Sequence, residues 1–376
     1  MTDELLFYRQ TDYNIKDLED IIDNIFEKNQ LKDKLDGKRV LLKVNLLMGK
    51  SPDEAITTNP DFVIAVARTI KRYGGQPFLA DSPGGPFNRT SLKFAYSKSD
   101  YIEPAEAGEF DLNYNSEYFN LESLEGYRAK SFKICSFVKE ADLIFNLPKL
   151  KTHGLTLYTG AIKNLFGLVP GITKAEYHLK LQKINDFCHM LLDLHEAITP
   201  DLTIMDGILG MEGDGPSSGV ARKFNTVFAS SNAIDMDIVI SYLLRKDKYK
   251  NDPWPEAISE RGLVIDFDKE IIPDWVLENF QDVKTPRVDK ASNLIDRRLP
   301  EPISKFIEKF IRPEPIILDN CIACGICAKN CPAKVITIKD KAEINLSGCI
   351  RCFCCQELCP HNAVEIKYPL LGKLIF

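Results

Sequence analysis

The 376-residue chain has no apolar run near the ~18 residues that a membrane-spanning helix requires. Its first ten residues, MTDELLFYRQ, lack the basic-then-apolar order of a secretory signal, so a cytoplasmic protein is expected. Positive charge is not in excess. Lys and Arg number 48 against 54 Asp and Glu, a net charge of −6, which disfavours nucleic acid as a partner. There is no G-x-G-x-x-G and no G-x4-G-K-[ST], so a dinucleotide or P-loop site has no motif support. Cysteine is nearly missing from the first 320 residues, where only Cys135 and Cys188 occur. That excludes a disulfide framework spread along the chain, and both read as small buried apolar residues.

What is present is a globular composition, 44% apolar and 27% charged. Ile15, Leu18, Ile21, Ile22 and Ile25 recur at helical spacing. Residues 39–44 (RVLLKV) read as a buried strand. Asn59-Pro60 opens a helix that Tyr73-Gly74-Gly75 ends, and 76–80 (QPFLA) is the next strand. Strand, helix, strand with glycine punctuation is a βαβ unit. Further strands are expected at 142–147, 201–205 and 225–229, with helices over roughly 180–198 and 235–245. The predicted fold class is α/β, a mostly parallel sheet with helices on both faces. Sites in such sheets lie beyond the carboxyl ends of the strands. Loops are expected there at Asn45, at Asp81, over 149–153, at Asp206-Gly207 and over 230–232.

Prolines 286, 300, 302, 313 and 315 then break up a charged segment. The expected division is an α/β part over 1–285, a linker over 286–315, a small α+β domain over 316–368 and a tail over 369–376. The linker contains a short amphipathic stretch at 303–312, with Ile303, Phe306, Ile307, Phe310 and Ile311 on one stripe. It reads as a docking helix, the alternative being a membrane-surface or partner helix.

The other nine cysteines lie between Cys321 and Cys359. Cys321-x2-Cys324-x2-Cys327-x3-Cys331-Pro332 repeats 28 residues later as Cys349-x2-Cys352-x2-Cys355-x3-Cys359-Pro360. This is the bacterial two-cluster ferredoxin pattern, in which the fourth cysteine of each run reaches the other cluster. One [4Fe-4S] cluster should take Cys321, Cys324, Cys327 and Cys359. The second should take Cys349, Cys352, Cys355 and Cys331. Zinc is the rival, but a zinc site takes four ligands and does not require two matched sets each followed by proline. Cys354 fits no ligand position. Residues 316–368 carry six basic and five acidic side chains, so this is not a strongly acidic ferredoxin.

The larger part resembles the DUF362 family, often joined to a ferredoxin-type tail. The likeness covers roughly residues 37–244. It rests on Lys43-Val44-Asn45, Thr58-Asn59-Pro60, the Asp81-Ser-Pro-Gly-Gly85 and Pro148-Lys-Leu-Lys-Thr-His153 runs, residues 160–167 (GAIKNLFG), Asp206-Gly207 and residues 212–216 (EGDGP). It implies an iron–sulfur protein of anaerobic metabolism and fixes no reaction. Where the family commonly has two aspartates five apart, this chain has Asn232 and Asp237, which weakens a role for the first position. A fainter resemblance is to the lactate racemases, where a lysine in a Gly-rich stretch carries a nickel pincer cofactor and a later histidine binds the metal. Lys163, Pro170-Gly171 and His178 have similar spacing, but an adjacent histidine pair is missing.

Lys149, Lys151 and His153 follow a strand and lie beside a Gly/Thr-rich run ending in Lys163-Asn164. Converging lysines suit a small anionic substrate, phosphate or carboxylate; the bland alternative is a solvated basic loop. Glu212 and Asp214 on a Gly-rich turn, and Asp81 before Ser-Pro-Gly-Gly, suit a metal or acid–base work, against simple turn chemistry. His178 is a ligand or a cap. His195 reads as a core histidine and His189 as exposed. The expected function is an iron–sulfur oxidoreductase. Two [4Fe-4S] clusters would pass electrons from a redox partner protein to a catalytic site of Lys151, His153, Lys163, His178, Glu212 and Asp214. The alternatives are a non-catalytic electron carrier or adaptor and a racemase-like nickel enzyme. A flavin or further metal, and a homo-oligomer, stay open.

Overall fold

The computed structural model describes residues 5–286 and 312–369. The amphipathic stretch at 303–312 lies, apart from its last residue, outside the described residues, as does nearly all of the tail at 369–376.

The sheet is assembled from β1 (Leu6–Arg9), β2 (Arg39–Val44), β3 (Gln76–Ala80), β4 (Asp111–Leu112), β7 (Leu143–Leu147), β8 (Lys149–His153), β9 (Leu157–Thr159), β10 (Leu202–Glu212) and β11 (Val220–Ser230). A separate hairpin consists of β5 (Tyr118–Glu122) and β6 (Ser131–Cys135). The order across the sheet is β1-β11-β10-β7-β2-β3-β4, with β8 beside β10 and β9 beside β8. From β10 to β4 every pairing is parallel. The pairings β10–β11, β1–β11 and β8–β9 are antiparallel.

Both faces of the sheet are covered, and β2 shows why its sequence is nearly all apolar. Leu41 packs into one hydrophobic cluster, while Val40, Leu42 and Val44 pack into the other. On the second side lie α1 (Ile15–Lys28) and α2 (Pro60–Arg72). Asn14 caps α1 by accepting from the N–H groups of Lys16 and Asp17. Asn59 caps α2 by accepting from Asp61 N–H, with Pro60 in the first turn, where its missing N–H costs nothing. The first side is covered by the helices Ile184–Ala197, Ala233–Arg245 and Pro253–Glu260, around the fully buried Trp254.

Several sequence expectations need correction. Residues 149–153 form a strand, with all five residues buried; Lys149 is paired with Asp206 and Lys151 is bonded to the Ile56 carbonyl inside the fold, so a polar spelling hid a strand. The strand expected to stop at Met205 runs on to Glu212, through an irregularity between Gly207 and Leu209. Its partner at 225–229 begins earlier and runs antiparallel. The helix expected over 180–198 is Ile184–Ala197, and a further helix, Gly171–Lys180, precedes it and carries His178. His189 is buried rather than exposed, its Nε2 2.9 Å from Glu260 and its Nδ1 accepting from Arg261.

The C-terminal region is a small α+β unit. Strands Glu314–Ile317 and Val364–Lys367 pair antiparallel, as do Ile336–Ile338 and Ala342–Ile344. Short helices run over Ile326–Asn330 and Cys354–Glu357. Among the described residues no helix is long and apolar enough to cross a membrane.

Candidate functional site

The C-terminal region holds two small pockets. One is lined by Cys321, Cys324, Cys327 and Cys359. The other is lined by Cys331, Cys349, Cys352 and Cys355. Each set draws three cysteines from one run and the last cysteine of the other. Among the described residues no three His, Cys, Asp or Glu side chains converge closely enough for a single ion. Four thiolates spread around a pocket fit a cubane, whose irons each take one thiolate. Backbone N–H groups already face some of these sulfurs: Ala342 donates to Cys321, Arg351 to Cys349 and Ala363 to Cys359. Such hydrogen bonds favour the thiolate form that binds iron.

A larger cavity of about 360 Å³ lies where this region meets the carboxyl ends of the parallel strands. Asn45 follows β2, Asp81 follows β3, and Lys151 and His153 stand on β8. Lys163 comes from a one-turn helix, Ala161–Asn164, and His178 from the helix Gly171–Lys180. The C-terminal region contributes Cys331, Cys354, Glu357 and Leu358. Docking is close: Ser217 Oγ donates to the Gln356 carbonyl, and Gln356 Nε2 donates to the Asp214 carbonyl. At Gly84 a Cβ would meet the tip of the Leu358 side chain, so the C-terminal region rests directly on this glycine.

The floor of the cavity is electrostatically built. Asp81 accepts from the N–H groups of Leu46 and Ser82, both at 2.7 Å, and lies 3.1 Å from Lys43 Nζ. Gly167 packs over this pair, where a Cβ would collide with Asp81. Lys151 Nζ donates to the Ile56 carbonyl at 2.6 Å. Burial, and then the neighbouring Lys163, pull its pKa down to about 7. Burial likewise lowers Lys163, and brings Lys174 to about 8. His153 and His178 fall to about 4, again chiefly through burial, so both rings are neutral at pH 7. His153 Nδ1 accepts from the Leu155 N–H, which puts the ring proton on Nε2, 3.0 Å from Glu357 Oε1. Burial opposes ionisation of Glu357, but His153 and Lys163 outweigh it and hold the carboxyl below its usual range.

Lys151, His153, Lys163 and His178 therefore share one cavity. Glu212 and Asp214 do not line it. The Glu212 carboxylate lies 2.9 Å from Arg222 and accepts from the Lys284 N–H, tying the β10–β11 hairpin to the segment at Lys284. Asp214 contributes its carbonyl to the docking contact. Lys149 is committed to a buried ion pair with Asp206. Asn232 caps the helix Ala233–Arg245, while Asp237 accepts from the N–H groups of Ala161 and Ile162 and so seats the turn that carries Lys163. Cys135, Cys188 and His195 are buried. Sequence reasoning missed Lys43, Lys174 and Glu357. Lys43 had a signal, a lysine inside an otherwise apolar strand. Glu357 had none, because its partner is distant in sequence.

Comparison with known proteins bears on both parts. The family described as "Domain of unknown function (DUF362)" matches residues 40–242. The one described as "4Fe-4S dicluster domain" matches residues 320–363. "Thylakoid-associated protein sll1697" of Synechocystis sp. (strain ATCC 27184 / PCC 6803 / Kazusa) is 37% identical over 218 residues, 56% of this chain and 64% of its own length. The chain thus spans just under two thirds of that relative. The lactate racemase apoprotein from Thermoanaerobacterium thermosaccharolyticum superposes with a TM-score of 0.40 at 15% identity, over 64% of this chain and 57% of that one.

Proposed function

The chain belongs to the DUF362 family and carries an iron–sulfur domain of the dicluster type, and from that premise we propose that it is an oxidoreductase that delivers electrons to a small anionic substrate in the cavity between its two parts. The observation that carries this reading is Cys331, which lines both the second cysteine pocket and the large cavity. Cys321, Cys324, Cys327 and Cys359 would hold one [4Fe-4S] cluster, and Cys349, Cys352, Cys355 and Cys331 the other. When bound, the clusters supply single electrons. Cys324 is exposed, and Ile322 and Ile326 beside it are exposed apolar side chains, which suits contact with a protein redox donor.

The chain's own residues do the rest. Lys151 and Lys163 attract the anion, and Leu358 and Phe166 keep water from it. Lys151, poised near pH 7, holds a proton it can give as the substrate gains electrons. The balance is two electrons from the protein donor and two protons, one through Lys151 and one from solvent.

Two measurements test this. Protein purified without oxygen should carry about eight irons per chain, falling to about four in Cys331→Ser and staying at about eight in Cys354→Ser. Stoichiometric nickel in the same assay would replace this reading with the lysine-bound cofactor. Dithionite-reduced protein should be reoxidised anaerobically by at least one member of a panel of small organic acids, and Leu358→Trp, which fills the cavity, should abolish that. Reoxidation by other redox proteins alone would make the chain a carrier.

A further inference from the structure

We infer that the cavity is built for an organic carboxylate with an apolar body, rather than for an inorganic anion or a nucleotide. The inference rests on the reading of the cavity as a ligand site and adds the class of ligand.

One end of the cavity is cationic beyond what its own acids balance. Of the charged side chains that line it, Lys151, Lys163, Lys174, Lys329 and Lys334 outnumber Asp81, Glu176 and Glu357. Lys43 is already paired with Asp81, and Lys174 Nζ donates to the Ser82 carbonyl. Lys163 repels Lys151 across the site, against the attraction of Glu357 and Asp81. A bound carboxylate would relieve that repulsion. Nearby, Asn45 is buried. Its amide donates to Asn164, but its Oδ1 accepts nothing among the described residues, leaving an acceptor for a donor on the ligand.

The other walls are apolar: Leu46, Leu47, Phe166, Leu179 and Leu358. An inorganic anion would leave these in contact with water. At about 360 Å³ the cavity is at the small end for ligand sites, too small for a dinucleotide. The Gly-rich loop from Asp81 to Gly85 borders the cavity but spends its Ser82 and Gly84 N–H groups on the Gly167 and Leu47 carbonyls, and the acceptor carbonyls of Ile56 and Ser82 face the lysines. One charge held by flexible ammonium groups at one end, with apolar surface beyond, matches a monocarboxylate.

The test is calorimetric titration of the oxidised, cluster-loaded protein near pH 6.5 with three probes: 3-phenylpropanoate, acetate and inorganic phosphate. The aryl acid should bind at least about tenfold more tightly than either of the others, from burial of its ring. Lys163→Gln should weaken it about tenfold or more, and Lys163→Arg should restore most of the loss. Leu47→Ala should weaken the aryl acid severalfold and leave acetate unchanged. Equal affinity for phosphate or acetate, no binding of the aryl acid, or indifference to Lys163→Gln would overturn the inference. Because no electrons are involved, tight and selective binding without reoxidation of the reduced protein would sink the oxidoreductase reading while leaving this one standing. Reoxidation by small acids without preference for an apolar body would do the reverse.

Discussion

Asp206→Ala is expected to cost about 3–5 kcal/mol of stability, the typical loss when one partner of a buried ion pair is removed. Asp206 Oδ2 accepts from Lys149 Nζ at 2.7 Å, and neither side chain is exposed. The same oxygen accepts from the Asn59 N–H that begins α2, and Oδ1 accepts from the Tyr13 hydroxyl. Tyr13 also accepts from Lys149 and from the Leu209 N–H. Alanine would strand a buried ammonium and a helix-start N–H together. Against a typical total of about 5–15 kcal/mol, that is a large fraction. Urea unfolding of the wild type and the variant measures it. The double variant Lys149→Met/Asp206→Leu should be less destabilised than Asp206→Ala alone, because no charge is left buried. A loss below about 1 kcal/mol in Asp206→Ala would show that the pair is not the brace its geometry implies.

Raising the pH from 6.5 to 9 should weaken binding of a carboxylate in the cavity while making the protein more stable. Lys151 has a pKa of about 7 in the folded protein, against 10.5 for a free lysine. Above pH 7 the folded state loses this proton and with it the attraction for an anion. Affinity for 3-phenylpropanoate should then fall by up to about tenfold per pH unit. Lys174, at about 8, adds a second step. His153 and His178, at about 4, are neutral throughout this window and add nothing. Stability moves the other way. Between pH 7 and 10.5 the unfolded chain keeps a proton on this lysine that the folded chain has lost, so unfolding takes up protons and is opposed as pH rises. Lys151→Met should flatten the first step of the binding profile and remove its share of the stability slope. The readouts are titrations and urea midpoints at half-unit pH intervals. Affinity that is flat from pH 6.5 to 9 in the wild type would mean that Lys151 does not face the ligand as a cation.

Much of this molecule was legible in its sequence because much of it is local. The two cysteine runs are read from spacing alone, since two residues between successive thiols set how a loop wraps. Even the exchange of Cys331 and Cys359 between the two pockets follows from the repeat. The parallel strands 39–44 and 76–80 and the Asn59-Pro60 helix start were equally plain, because caps and apolar runs act over a few residues. Tertiary structure decided what those elements face. A strand spelled Lys-Leu-Lys-Thr-His reads as a loop until Lys151 and His153 are seen to enter the cavity and Lys149 to pair with the buried Asp206. Glu212 and Asp214, conspicuous on a Gly-rich turn, go to bracing and docking, while Glu357, between two cluster cysteines, meets His153 more than two hundred residues away. Periodicity reports which side of an element is apolar. It carries no information on which charged groups share a desolvated space, and that sharing sets the charge and proton affinity of this cavity.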